Sequence, residues 1–375
     1  MGAVKLFLCG DVMIGRGVDQ ILPSPGNPRL HESYVDSALD YVALAERKGG
    51  RIPRAVPPGY VWGDALGELE QRCPNVRVVN LETAITTSED AWPGKSVHYR
   101  MNPPNIACLT VARVDCAVLA NNHVLDWGHA GLAETQATLH AAGIAFAGAG
   151  PNTREAARPA VLAAPGDGRV LVFAFAMTSA GTPAAWAATH RQAGVCLLPD
   201  CSRASAERVG ERIAEHRRAG DVVVVSVHWG PNWGYEVDPE RQRFARALVD
   251  EAGVDVVHGH SSHHPMAIEM YAGKPILYGC GDFINDYEGI GGYEEYRPDL
   301  ALMYFVTLDP ACRRAAELRL VPLYRKHFRL FHAREVDLEW LLAMVNREGG
   351  PTGTRFVRSG EQELQIGCTR SSPIP

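Results

Sequence analysis

The sequence predicts an α/β fold built around a substantial sheet. Apolar runs of strand length alternate with amphipathic segments through most of the chain. Gly stands just past two of the amphipathic segments, in AAGIAF (141–146) and EAGVDVV (251–257), where a helix cap is expected before the next strand. Polar and ionisable residues collect where the apolar runs end, which is where open α/β sheets place their sites.

The first run, KLFLCG (5–10), reads as a buried strand. Its roughly six apolar residues, with a lysine among them, fall short of the ~7–15 of a signal-peptide core. Residues 22–62 break the rhythm with Pro/Gly turns, a helical stretch at 33–47 and several aromatics. An insertion of that length is expected to be a lid or pocket wall. Strands follow at 76–81, 114–120 and 169–176, with a helix at 131–142. Helices at 203–219 and 239–252 frame a strand at 221–228 (DVVVVSVH). Strands at 254–259, 274–281 and 300–308 complete the series. These runs are apolar on consecutive residues, as in strands covered on both faces. The last stretch is Gly/Ser/Pro-rich, with a hairpin expected over 356–366 (FVRSGEQELQI).

Composition narrows the function classes. The chain has 375 residues, 46% hydrophobic and 21% charged, which is ordinary globular usage. A net charge of −6 argues against nucleic acid as partner, since phosphate neutralisation needs a basic surface. No apolar run reaches the ~18 residues of a membrane span, so no membrane partner is expected. The nine cysteines (Cys9, Cys73, Cys108, Cys116, Cys196, Cys201, Cys280, Cys312 and Cys368) form no CxxC. Reduced cysteines in a cytoplasmic protein are the expectation.

The candidate chemistry sits at strand ends. Asp11 follows the first strand, Glu82 the second, and Asn122, His123 and Asp126 the third. His228 ends the strand at 221–228, and HGHSSHHP brings His258, His260, His263 and His264 after the next. GCGDFINDYEG adds Asp282 and Asp286. Carboxylate and amide oxygens with imidazole nitrogens suit a divalent cation, whether Ca, Mn, Mg, Zn or Fe. Taken singly, each residue has a plainer reading as a turn, cap or packing group; their recurrence at successive strand ends favours a site. No Walker A loop, GxGxxG fingerprint or GxSxG elbow competes.

In order, GDVMIGR, VNLETAIT, NNHVLDWG, VHWGPNWG, GHSSHHP and LYGCGDFINDYEG resemble the CapA family of poly-γ-glutamate capsule synthesis proteins, related to the calcineurin-like metallophosphoesterases. The resemblance covers roughly residues 4–310. It implies a sandwich of two β-sheets flanked by helices, with metal at one edge. It also implies one domain over 1–330 carrying the 22–62 insertion, with 331–375 as a C-terminal helix and tail packed on it. Carried across, Asp11, Glu82, Asn122, His228 and His260 are the metal ligands and His123 the acid/base histidine. Three departures stand out. Met13 replaces the histidine of Asp-x-His, Asn80-Leu81-Glu82 replaces a two-aspartate motif, and Gly-His-x-His is stretched over 259–264. A full two-metal centre is thereby put in doubt.

Three functions follow. One is acid–base chemistry on a peptide or γ-glutamyl substrate, with Cα epimerisation as its sharpest form. The others are phosphoester hydrolysis and a non-catalytic part in capsule synthesis. Epimerisation needs a base and an acid on opposite faces of the carbon. His123 with Asp126 is the expected first pair, Asp126 raising the imidazole pKa. His263 or His264 with Asp282 or Asp286 is the expected second. Arg16, Trp127, Trp229 and Trp233, with Tyr34, Tyr41, Tyr60 and Trp62 of the insertion, are expected to contact substrate.

Overall fold

The valine run at 222–228 shows how this sequence builds its layers. Val222 and Val224 point into one apolar core, while Val223, Val225 and Val227 point into a second. A strand buried on both faces needs a layer on each side. The computed structural model, which describes residues 2–367, supplies a second sheet on one side and helices on the other.

The first sheet is mixed. Strand β1 (Val4–Val12) runs parallel to β2 (Val76–Leu81), which is followed outward by β3 (Cys116–Val118) and β4 (Ala145–Ala147). The second sheet centres on β5 (Gly168–Met177), β6 (Val222–His228), β7 (Val256–His260) and β8 (Lys274–Leu277), all parallel. Strand β9 (Asp282–Ile284) returns to the first sheet and pairs with the end of β1. On the far side of β1, the long antiparallel pair β10 (Leu300–Asp309) and β11 (Arg314–Lys326) continues the sheet. The expected terminal hairpin is present, Phe356–Arg358 against Leu364–Ile366, and it extends that sheet from β11.

Helices α1 (Ala38–Gly49) and α2 (Gly128–Ala141) belong to the first half of the chain. Helices α3 (Arg203–His216) and α4 (Pro239–Asp250) cover the outer face of the second sheet. Val209 and Ile213 of α3 and Phe244 and Leu248 of α4 share a core with Leu171, Phe173 and Phe175 of β5. Helix α5 (Glu335–Gly349) follows the sheets. This is the two-sheet sandwich flanked by helices that the resemblance implies.

Strand boundaries moved where turn chemistry intervenes. The regular strand in the 274–281 run ends at Leu277, and the chain beyond it keeps only single contacts, such as the Pro265–Cys280 bridge, before Gly281 turns with a left-handed φ of +74°. In the insertion, α1 starts at Ala38, since Ser37 caps it by accepting from the Leu39 amide. Among the described residues the cysteines are free, with Cys73 and Cys312 exposed; Cys368 lies outside the described residues. No described helix is long and apolar enough to cross a membrane.

Candidate functional site

The site forms where the C-terminal ends of β1, β2, β6 and β7 meet. Asp11 lies one residue before the end of β1, with Asn80 of β2 and Asp282 of β9 in register on its two sides. This close approach depends on Gly10: a Cβ there would lie 1.6 Å from the Gly281 carbonyl oxygen. Asn80 acts as a clamp. Its Nδ2 donates to Asp11 Oδ1 at 2.8 Å and to Glu82 Oε2 at 3.0 Å, and its Oδ1 accepts from Asn121 at 3.0 Å. Asn121 in turn accepts from the His123 and Val124 amides, forming the tight turn that carries Asn122 and His123.

The opposite wall comes from the second sheet. Parallel register places His228 beside His260, their Nδ1 atoms 2.7 Å apart, and Ser226 holds His260 Nε2 at 2.8 Å. Asp11, His228 and His260 each offer a ligand atom within 4.8 Å of the others. Glu82 stands 3.9 Å from both His228 Nδ1 and His123 Nε2. Three buried polar atoms here lack a hydrogen-bond partner: Asp11 Oδ2, Asn122 Oδ1 and His228 Nε2. Buried polar groups are normally satisfied, so a cluster of such orphans needs an occupant. Burial first, then the Asp282 charge, pushes the Asp11 carboxyl up to about 7, and burial with the Asp11 charge raises Glu82. Burial holds His228 and His260 well below the usual range, as neutral imidazoles. Crowded carboxylates beside neutral imidazoles fit a divalent cation.

Two histidine–carboxylate pairs flank this cluster. His123 Nδ1 lies 2.6 Å from Asp126 Oδ2, and the ring packs edge-on to Tyr99 at 4.6 Å. His263 Nδ1 lies 2.9 Å from Asp282 Oδ1, whose other oxygen accepts from Asn285 at 2.7 Å. Asp11, His263 and Asp282 also come within metal-ligand reach of one another. Both Asp282 oxygens are already engaged, however, which favours the paired-histidine arrangement. A cavity of about 690 Å³ opens onto His263 and is walled by Tyr34, Tyr41, Tyr99, Trp233 and Tyr287.

The model for the bacterial capsule synthesis protein PGA_cap matches residues 5–287. The chain belongs to that family. It is similar to the "Probable polyglutamine synthesis accessory protein" of Mycobacterium tuberculosis, 46% identical over 97% of this chain and 96% of that protein. It is also similar to the PGA biosynthesis protein CapA of Bacillus subtilis, 26% identical over 74% of this chain and 62% of that one. A solved phosphatase of Mycoplasma pneumoniae aligns over 90% of this chain and 97% of its own, with 11% identity and a TM-score of 0.46.

Within this capsule-family chain, not every expected site residue reaches the cavity. Asp286 does not pair with a histidine; it takes Arg16 in a two-pronged bridge, at 2.8 Å to Nε and 2.6 Å to Nη2. Arg16 does line the cavity, but it also bonds Glu32 at 3.0 Å and stacks on Tyr41, so its donors serve internal carboxylates. His264 turns away into a stack with Trp233 and Tyr296. Trp127 and Trp229 are fully buried, their indole N–H groups donating to the Tyr99 and Tyr278 carbonyls. Trp233 does line the cavity, stacked on Tyr293 at 3.9 Å. From the insertion, Tyr34 and Tyr41 line it too, whereas Tyr60 bonds the His327 carbonyl and Trp62 packs on Phe283.

The expected direction of the His123 shift is also corrected. Burial outweighs the Asp126 charge, and Lys95 opposes it further, so the His123 pKa falls to about 4. For His263, burial also pulls down, but the Asp282 charge and hydrogen bond prevail and the pKa rises. Lys95 went unread in the sequence. It bonds Asp126 Oδ1 at 2.5 Å and the Asn122 carbonyl, and its ammonium lies 3.3 Å from His123 Nδ1. It comes from an irregular loop with no periodicity to mark it.

Proposed function

We propose that this capsule-family protein is a metal-dependent enzyme that inverts a Cα centre in a peptide or γ-glutamyl chain. The observation that carries the reading is the pair of histidine–carboxylate dyads, His123–Asp126 and His263–Asp282, on either side of one carboxylate–imidazole cluster. Inversion needs one group to take the Cα proton and another to deliver a proton to the opposite face. His123 is the base: Asp126 holds its Nδ1–H, leaving Nε2 to accept. His263 is the acid, oriented in the same way by Asp282. Asp11, Glu82, Asn122, His228 and His260 hold a divalent cation, which supplies electrostatic stabilisation of developing negative charge. The aromatic cavity walls bind and orient the chain. The names of the mycobacterial and Bacillus relatives support a poly-amino-acid substrate.

A second reading, phosphoester hydrolysis, is favoured by the oxygen and imidazole donor set next to a histidine. One experiment separates the two. Metal-loaded protein is incubated with a γ-glutamyl oligopeptide and with p-nitrophenyl phosphate; residue configuration is read by chiral chromatography and phosphate by assay. Inversion supports the epimerase. Efficient phosphate release without inversion selects the hydrolase, and neither product points to a non-catalytic part in capsule synthesis.

A further inference from the structure

The cavity beside His263 carries charge that the acid–base chemistry does not use. Arg325 lines it and is partly buried, yet makes no ion pair within 4.0 Å among the described residues. Its guanidinium is held by backbone instead, Nη1 donating to the Asp282 carbonyl at 2.5 Å and Nη2 to the Pro298 carbonyl. Two carbonyls fix the group in place, and the Asp282 and Asp299 carboxylates that act on its charge stand beyond ion-pair distance. Lys326, next in sequence, and Lys48 of α1 line the same cavity, and neither has an ion-pair partner among the described residues. The neighbouring Arg297 differs: it is matched by Asp299 and Asp337, at 2.7 Å each. Glu288, Glu294 and Asp299 also line the cavity; Glu288 and Glu294 accept from the His327 and Gly292 amides and lie beyond ion-pair distance from Lys326 and Lys48, whose charges they nevertheless feel, and Asp299 is taken by Arg297. A chain of net charge −6 thus gathers three unpaired cations around one concave surface.

An immobilised guanidinium with free donors is suited to a planar oxyanion, and two flexible ammonium groups at the rim attract the same charge. We propose that Arg325, Lys326 and Lys48 form an oxyanion subsite that holds a carboxylate or phosphate group of the substrate while the reacting centre sits at His263. The Arg325 bond to the Asp282 carbonyl links this subsite directly to the acid dyad, so anion binding positions the chain for proton transfer. The inference deepens the proposed function and rests on the same cavity being the substrate site. Binding, however, is measured without turnover, so the subsite and the reaction fail separately.

The test is calorimetric binding to the full-length, metal-loaded protein at low salt. Three probes are compared: a γ-glutamyl pentapeptide, the same γ-linked peptide with its α-carboxylates converted to carboxamides, and inorganic phosphate. The wild type should bind the acidic peptide at least ~10-fold more tightly than the neutral one, as expected for matched charges in a cavity. Lys48→Gln/Lys326→Gln, which alters only exposed ends, should erase most of that preference, and Arg325→Gln the rest, with metal content unchanged. Phosphate that competes with the peptide and weakens in Arg325→Gln identifies a phosphate-bearing ligand as well. Phosphate that is indifferent to Arg325 but lost in His228→Ala sits on the metal, which leaves the carboxylate as the subsite's ligand. Equal affinity for the acidic and neutral peptides, or an acidic-peptide affinity unmoved in the lysine double variant, overturns the proposal. Should Arg325→Gln fail to fold, the double variant decides alone.

Discussion

Asp11 shows how one residue comes to depend on a partner. Its Oδ1 is tied to Asn80 and its Oδ2 is buried without a donor, in the company of Glu82 and Asp282. Such a cluster is relieved by protons or by a cation among its members, and a divalent cation displaces those protons. Asp11→Ala and His228→Ala should therefore each lower the bound divalent metal well below the wild-type content, measured by elemental analysis of protein purified without chelator. Unchanged metal in both variants contradicts the ligand assignment. Arg16 makes a different case. Its charge is spent on Asp286 and Glu32, all three buried. Arg16→Met strands two carboxylates and should cost about 3–5 kcal/mol in denaturant unfolding. Arg16→Lys should recover little, because an ammonium cannot make the two-pronged bridge.

At the scale of the element, the β1–β9 pairing sets the site. Gly10 passes so close to the Gly281 carbonyl that no side chain fits. Gly10→Ala should split β9 from β1, and the expected result is insoluble protein or a loss above about 4 kcal/mol. Helix α5 is fastened by Asp337, which accepts from Arg334 at 2.6 Å and Arg297 at 2.7 Å. Burial alone would raise its carboxyl, but these hydrogen bonds and charges hold it below the ordinary value. The stability this contributes is present above the unfolded pKa of roughly 4 and is lost as pH falls through the folded one. Acid titration of stability should show that loss below about pH 4 in wild type and a shallower one in Asp337→Asn.

Across the whole molecule, legibility followed burial. The central strands were readable because parallel strands covered on both faces are continuous apolar runs. Strand β11 (RAAELRLVPLYRK) was not, because charges and a proline interrupt its apolar positions. The His123–Asp126 pair was readable at three residues' spacing, whereas Arg16 and Asp286 meet across 270 residues of sequence. Trp127 and Trp229 sit inside the site motifs, but motif position does not say which way an indole points. Lys95 and Arg325 reach the site from segments that no strand-end pattern marks.

What unites the two sheets functionally is the placement of His123 from one and His263 from the loop after the other on either side of the same cluster. The most direct test is hydrogen exchange at the substrate. A γ-glutamyl oligopeptide is incubated in D₂O with metal-loaded wild type, His123→Ala and His263→Ala, and deuterium is located by mass spectrometry. Wild type should place one deuterium at Cα of each inverted residue. Both variants should lose inversion by at least ~100-fold, with metal content unchanged. Absence of Cα deuterium in wild type, or full exchange in His123→Ala, contradicts the account.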